Sequence, residues 1–374
     1  METSLYIHIP FCERKCTYCD FYSIIYNDGI AASYIDVLSK QIEGLSRKFS
    51  TIYIGGGTPT VLGEGLLKKI LSCLRNCITG SCEFTIEANP ESLGVEKIKL
   101  FLDMGVSRLS IGVQSLRGEK LKKLGRLHTS RRALDAVYLA SKKGFKNINI
   151  DMIFGVWCES PETWEKELRE AARLPITHVS CYSLTYEKGT PLFLAVKNRS
   201  ITPLEDTTMA QMYKTAIETL SIGGFKQYEV SNFSKEGYEC RHNLNYWENN
   251  PYIGLGPSAV SYIDGSRIRN VSDVSEYIKN YTCGKSLTEF TERLSPLKKA
   301  KETAAIKIRT KDGIDFDWFR RKCGYDFLKL EERVVSELVK KGFIKYKKYG
   351  NIPTGVMLRQ KGFLFCDTVS SAFL

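Results

Sequence analysis

The chain has 374 residues, 43% hydrophobic and 26% charged, enough to bury a large core and to hold one large domain beside a smaller one. No apolar run is long enough to span a bilayer, and the N-terminus lacks the basic-then-apolar order of a secretory signal, so the chain reads as cytoplasmic with no stable membrane span. The net charge of +12 invites a nucleic-acid reading, but much of the excess sits in helix-like runs (Lys298, Lys299 and Lys301; Lys340, Lys341, Lys345, Lys347 and Lys348) where solvated faces explain most such clusters, so nucleic acid is an unfavoured partner.

In chain order, short β-rich runs alternate with helical ones at intervals of roughly thirty residues, the spacing of repeated βα units. Predicted strands are Leu5 to Ile9, Thr51 to Ile54, Phe84 to Ala88, Arg108 to Gly112, Asn147 to Ile153 and His178 to Ser183. Helices are predicted between them, among them Ala32 to Ser46, Glu64 to Leu74 and Thr163 to Arg173. Six such units predict an α/β fold, an open partial (β/α)6 barrel whose strand ends carry the chemistry. From Glu205 a long helix runs through Ser221, followed by the strand-like FKQYEVSNF from Phe225. After Pro296 a basic, helix-rich segment begins, with apolar Leu330, Val334, Val335, Leu338 and Val339 on one face of a helix from Leu328 to Lys341 and a β ribbon beginning at GFIKY. The predicted domains are residues 1–225 as barrel core, 226–295 as barrel extension, and 296–374 as a small, winged-helix-like C-terminal domain.

Cys12, Cys16 and Cys19, in CERKCTYCDF, fit a 4Fe-4S cluster held by three thiolates, which leaves one iron open to a small molecule. A C-x2-C pair alone is also half of a zinc site or a redox pair, but zinc wants a second pair and a redox pair has no use for Cys12. The run Tyr53 to Pro59, YIGGGTP, adds an apolar strand ending in a glycine turn of the kind that brings backbone amides against a charged ligand. Twelve cysteines, clustered and not evenly spread, fit a reducing compartment. Cys73, Cys77 and Cys82 are read as core cysteines and His8 as structural, while His128, just after Arg126, is expected to border the small-molecule pocket.

SLYIHIPFC, CTYCDFYS, YIGGGTPT, FTIEANPES, RLSIGVQS, LGRLH, INIDMIFG, YEVSNFS and HNLNYW occur in an order and spacing similar to the coproporphyrinogen III oxidase-like radical S-adenosyl-L-methionine (SAM) proteins, across essentially the whole chain. Within that family the chain resembles the heme chaperone branch. Asp20 and Phe21 follow Cys19, where the decarboxylase branch has one residue and then a further cysteine; the chain starts at the first strand without the decarboxylase's N-terminal arm; and HNxxYW is present.

The resemblance implies a radical SAM barrel, with the open iron taking the amino and carboxylate groups of SAM and yielding a 5′-deoxyadenosyl radical. It places Glu87 at the amino side and Arg126 at the carboxylate, a contact suited to a planar guanidinium. Gly56, Gly57 and Thr58 are expected to offer close backbone approach, Gln114 and Asp151 to contact hydroxyls, and Tyr6, Tyr18, Thr185 and Val260 to surround the sulfonium and adenine. One departure is local: the family's usual GLP after the strand of Asp151 is replaced by Gly155-Val156-Trp157. The resemblance also implies heme, with His242 as axial ligand, Cys240 as the alternative ligand, and Tyr246 and Trp247 as flat apolar surface. A basic protein would attract the propionates, and an acceptor apo-hemoprotein is the implied partner, with a homodimer left open. The competing readings are anaerobic coproporphyrinogen III decarboxylation and nucleic-acid binding.

Overall fold

In the computed structural model, which describes residues 3–374, six parallel strands stand side by side in chain order: Ser4–Ile9, Phe49–Gly56, Ile78–Ala88, Arg108–Gln114, Asn147–Phe154 and His178–Ser183. Helices Asp28–Glu43, Glu64–Leu74, Val95–Asp103, Ser130–Lys143, Pro161–Ala171 and Asp206–Ile222 return the chain between or after them. The first helix begins four residues before the predicted Ala32 because the Asn27 side chain accepts the Ile30 N–H (3.0 Å) and caps it.

Strand alternation divides the residues into two sets. Leu5, Ile7, Ile52, Phe84, Ile86, Leu109, Ile111, Ile148, Ile150 and Val179 are fully buried and belong to one core shared with the helices. The alternate set is polar and meets across the barrel interior. Thr51 Oγ1 donates to Ser4 Oγ (2.7 Å), Tyr53 OH to Glu87 Oε1 (2.7 Å), Ser110 Oγ to Asp151 Oδ2 (3.2 Å) and Asn149 Nδ2 to Ser110 Oγ (2.7 Å). His178 Nδ1 meets Asn149 Oδ1 at 2.6 Å. Buried polar groups are tolerated only when paired, so this network is a condition of the fold.

The sheet continues past both edges to twelve strands. Asn232–Ser234 adds antiparallel to the sixth barrel strand and Lys226–Gln227 adds antiparallel to Asn232–Ser234, so the predicted single strand from Phe225 is two short strands joined by a reversal. At the other edge Tyr252–Leu255 pairs parallel with Ser4–Ile9, followed by antiparallel Val260–Ile263, Ser266–Asn270 and Thr288–Arg293. Between the two edges in sequence lies the helix Arg241–Trp247, whose start is bound into the interior. Glu83 accepts the backbone N–H groups of Arg241 (3.2 Å) and His242 (3.1 Å) and the Cys240 thiol (3.6 Å).

Helices Pro296–Lys307, Phe316–Cys323 and Phe327–Lys340, with a three-stranded sheet of Ile314–Asp315, Ile344–Tyr349 and Ile352–Leu358, form the C-terminal winged-helix-like unit with its own core around Phe319, Phe327, Val335 and Ile344. It docks on the barrel extension: the Lys311 N–H donates to Tyr228 O (2.9 Å) and Asn249 Nδ2 to Thr303 Oγ1 (2.9 Å). No helix among the described residues is long and apolar enough to cross a membrane.

Glu83 is buried with buried Arg108 among its charged neighbours. Glu83→Ala is therefore expected to cost about 3 kcal/mol or more, because it strands three donors and removes a compensating charge. A urea midpoint within error of wild type would show that this anchor is dispensable.

Candidate functional site

The three sequence-predicted cysteines occupy one loop that opens off the first strand and is tied back by main-chain bonds. Ile24 N–H donates to Pro10 O (2.8 Å) and Tyr26 N–H to Cys12 O (2.9 Å), while the glycine turn is laced to the loop by Gly57 N–H to Ile9 O (2.8 Å) and Thr58 N–H to Phe11 O (2.7 Å). All three thiols are free and half-buried. Each faces a donor: Thr58 Oγ1 lies 3.7 Å from Cys12 Sγ, Arg126 Nη1 3.4 Å from Cys16 Sγ, and the Phe21 backbone donates to Cys19. Burial raises the Cys12 thiol and pushes Cys19 up to about 11, so the unloaded loop holds these two as thiols and cluster assembly must release their protons.

The glycine turn corrects one expectation. The amides of Gly56, Gly57 and Thr58 are already committed, Gly56 N–H to Glu87 Oε2 (3.2 Å), Gly57 N–H to the end of the first strand and Thr58 N–H to the cysteine loop, so they do not serve as an open amide cradle for a ligand. The glycines are required for close approach instead. Gly56 has φ +112°, and a Cβ there would lie 2.6 Å from the His8 ring; a Cβ on Gly57 would lie 2.6 Å from Phe11 O and 3.0 Å from Cys12 Sγ.

Around this turn the strand ends assemble the polar residues. Burial, then the charge of Asp151, pushes Glu87 up to about 7 against the opposing bonds from Tyr53 and Gly56. Burial likewise raises Asp151, which accepts from Ser110 and from Asn149 Nδ2 (2.9 Å). Gln114 ends the fourth strand at φ +60°, with its amide beside Gly112. Arg126 Nη2 donates to Gly112 O (3.1 Å) and Asn89 Oδ1 (2.6 Å), leaving Nε as a buried donor without a partner. Asn89 was not among the predicted site residues; its Nδ2 also donates to Thr58 Oγ1 (2.9 Å). Its only signal in the sequence is the polar residue before proline at the end of the third strand.

The remaining predicted SAM residues are spread more widely. The Tyr6 hydroxyl meets His8 Nδ1 (3.0 Å), and burial raises its pKa. Tyr18 is half-buried with Arg126 among its charged neighbours, and Thr185 is exposed after the sixth strand. Val260 lies two strands from Tyr6, across Gly254, where a Cβ would come within 2.2 Å of Val260 O. The departing loop after Gly155 is shaped by Glu159, which accepts the Gly155 and Val156 N–H groups (2.9 and 3.1 Å) and pairs with Lys120 (2.5 Å).

The expected heme ligand is placed differently. His242 is 1% exposed; its Nδ1 meets Thr51 Oγ1 (2.8 Å) and its Nε2 meets the Tyr246 hydroxyl (2.9 Å), so in this fold neither ring nitrogen is open to iron. Burial, then the charge of Arg108, lowers it to about 3, which keeps the ring neutral. Tyr246 and Trp247 do not form one flat surface. Tyr246 packs edge-on against His242 and Tyr252 (4.9 and 4.6 Å between ring centroids), whereas Trp247 lies under Arg309 of the C-terminal unit (5.5 Å). Cys240 is fully buried on Glu83. Successive helix positions point about 100° apart, so neighbours in HNxxYW take different partners.

The residues present fit a cluster and SAM: three half-buried thiols each with a donor, one unsatisfied guanidinium N–H for a carboxylate, and an acid titrating near neutrality to accept from an amino group. When bound, the cluster supplies one-electron reduction of SAM. The chain's own residues shape the loop, supply donors to its thiols and hold the opposite charges.

Two outcomes test this geometry. Gly57→Ala is expected to lose most of its iron after anaerobic reconstitution while keeping wild-type helix content; full iron loading would contradict the close-approach argument. SAM affinity, if Glu87 accepts from the amino N–H as a carboxylate, should rise about tenfold from about pH 6 to about pH 8, because protonation of a group titrating near 7 removes that acceptor below that point. Glu87→Gln should bind more weakly and lose this pH dependence in calorimetric titrations.

Residues 6–182 match the Radical SAM superfamily model. The chain is 35% identical over 376 aligned residues to the heme chaperone HemW of Lactococcus lactis subsp. lactis (strain IL1403), covering 99% of this chain and 97% of the relative. It is 34% identical to the heme chaperone HemW of Bacillus subtilis (strain 168), covering 99% of each. Among solved structures, coproporphyrinogen III oxidase (HemN) from Escherichia coli superimposes with a TM-score of 0.85 at 21% identity, covering 100% of this chain and 90% of that one, which establishes the shared fold. With barrel, cysteine loop and full-length relatives in agreement, this chain belongs to the HemW family of the radical SAM superfamily.

Proposed function

We propose that this chain is a heme chaperone that works in the cytoplasm, binds heme and passes it to acceptor apo-hemoproteins while carrying a 4Fe-4S cluster and SAM. The observation that carries the reading is the end-to-end relationship to proteins named heme chaperones, at 35% identity over 99% of the chain. Phe21 supports it over porphyrinogen decarboxylation, because an exposed phenylalanine stands where the resemblance places a further cysteine in the decarboxylase branch. Nucleic-acid binding is disfavoured by the C-terminal helix Phe327–Lys340, which exposes Glu332 and Glu337 and pairs Arg333 with Glu337 (3.3 Å).

Because both nitrogens of His242 are used inside the barrel, heme is proposed to bind outside the sealed interior, with His242 as a packing residue. Heme titration followed at the Soret band tests both points. Wild type and His242→Ala should bind heme with the same stoichiometry, with only the variant losing stability, and neither should turn coproporphyrinogen III into vinyl products under anaerobic, reducing conditions with SAM. Absence of saturable heme binding by wild type, or repeated substrate turnover, would overturn the chaperone reading. Loss of heme from a folded His242→Ala variant would restore the imidazole as ligand and require the Arg241–Trp247 helix to open.

A further inference from the structure

We propose that Asn89 is a positioning residue that sets the reduction potential of the cluster by directing hydrogen-bond donors onto Cys12 and Cys16 at once. The inference rests on the radical SAM reading of the cysteine loop. Arg126 can only donate, so its 2.6 Å contact fixes the Asn89 amide with Oδ1 facing the guanidinium. The amide nitrogen must then face Thr58, donating to Oγ1 at 2.9 Å. That contact occupies a lone pair of the hydroxyl and leaves its proton for Cys12 Sγ, 3.7 Å away. On the other arm, holding Nη2 of Arg126 leaves Nη1 directed at Cys16 Sγ at 3.4 Å. One amide thus orders two donor arms ending on two of the three thiolates.

Donors to cluster thiolates stabilise the more negative, reduced state and so raise the potential. The side chain of Asn89 reaches no cysteine itself; its effect passes through Thr58 and Arg126. Its backbone N–H is bound separately to Thr60 Oγ1 (3.2 Å), so a side-chain substitution leaves that anchor in place.

The test is an EPR-monitored redox titration of anaerobically reconstituted protein, without substrate, with iron counted in each sample. Thr58→Val should lower the midpoint potential, and Thr58→Ser, which keeps the hydroxyl, should restore it. Asn89→Leu, close in shape but without donors or acceptors, should lower it further, by about tenfold in the reduced-to-oxidised ratio, ~59 mV for one electron. The double variant Asn89→Leu with Thr58→Val should fall no lower than Asn89→Leu alone, because one arm is shared. A wild-type potential in fully loaded Asn89→Leu, or fully additive shifts in the double variant, would overturn the proposal. If Asn89→Leu cannot be loaded, the Thr58 pair decides: a wild-type potential in Thr58→Val overturns the relay. Failure of the wild-type protein to take up iron would instead remove the cluster reading on which the inference rests.

Discussion

A barrel lined with polar side chains must pair most of them, and much else in this molecule follows from that requirement. Six strands present Ser4, Tyr6, Thr51, Glu83, Glu87, Arg108, Ser110, Asn149, Asp151 and His178 on alternate positions to the apolar set that anchors the helices. Left to water the interior would not hold one geometry, and left unpaired it would oppose folding. Part of the solution is contributed by a segment from beyond the sixth strand. Tyr228 OH meets His178 Nε2 at 2.8 Å, Glu83 receives the start of the Arg241–Trp247 helix, and Thr51 takes His242. The barrel extension therefore completes the barrel interior as well as lengthening the sheet at both edges.

The same constraint separates the two regions of the interior. At the start of the Arg241–Trp247 helix His242 is kept neutral and Cys240 is pushed up to about 12 by burial, with the nearby charge of Arg108 opposing. At the strand ends the network is left incomplete. Arg126 Nε has no partner, and Glu87 sits near its midpoint at neutral pH. Unsatisfied donors and shifted acids beside a cysteine loop are features of a site built to receive a charged ligand.

The barrel was legible because each strand is a short alternating run bounded by turn residues, a signal carried by neighbouring positions. The cysteine loop was legible because its spacing is itself the chemistry. What escaped depends on contacts distant in sequence. Asn89 looks like a strand-end polar residue until Thr58, 31 positions before it, and Arg126, 37 positions after it, are brought alongside. His242 reads as a candidate ligand in a short motif, and only its pairing with Thr51, 191 positions away, reveals that the ring is spent inside the fold. The glycine turn reads as backbone brought against a charged ligand, whereas the groups that press on Gly56 and Gly57 are His8 and the cysteine loop.

The central claim, that this chain carries heme in order to give it away, is tested most directly by mixing heme-loaded protein with an apo-hemoprotein in the presence of excess apo-albumin as a competing sink. The account predicts that the acceptor gains heme faster than free heme supplies it, with a rate that rises with acceptor concentration. A rate equal to spontaneous heme release and independent of the acceptor would contradict it.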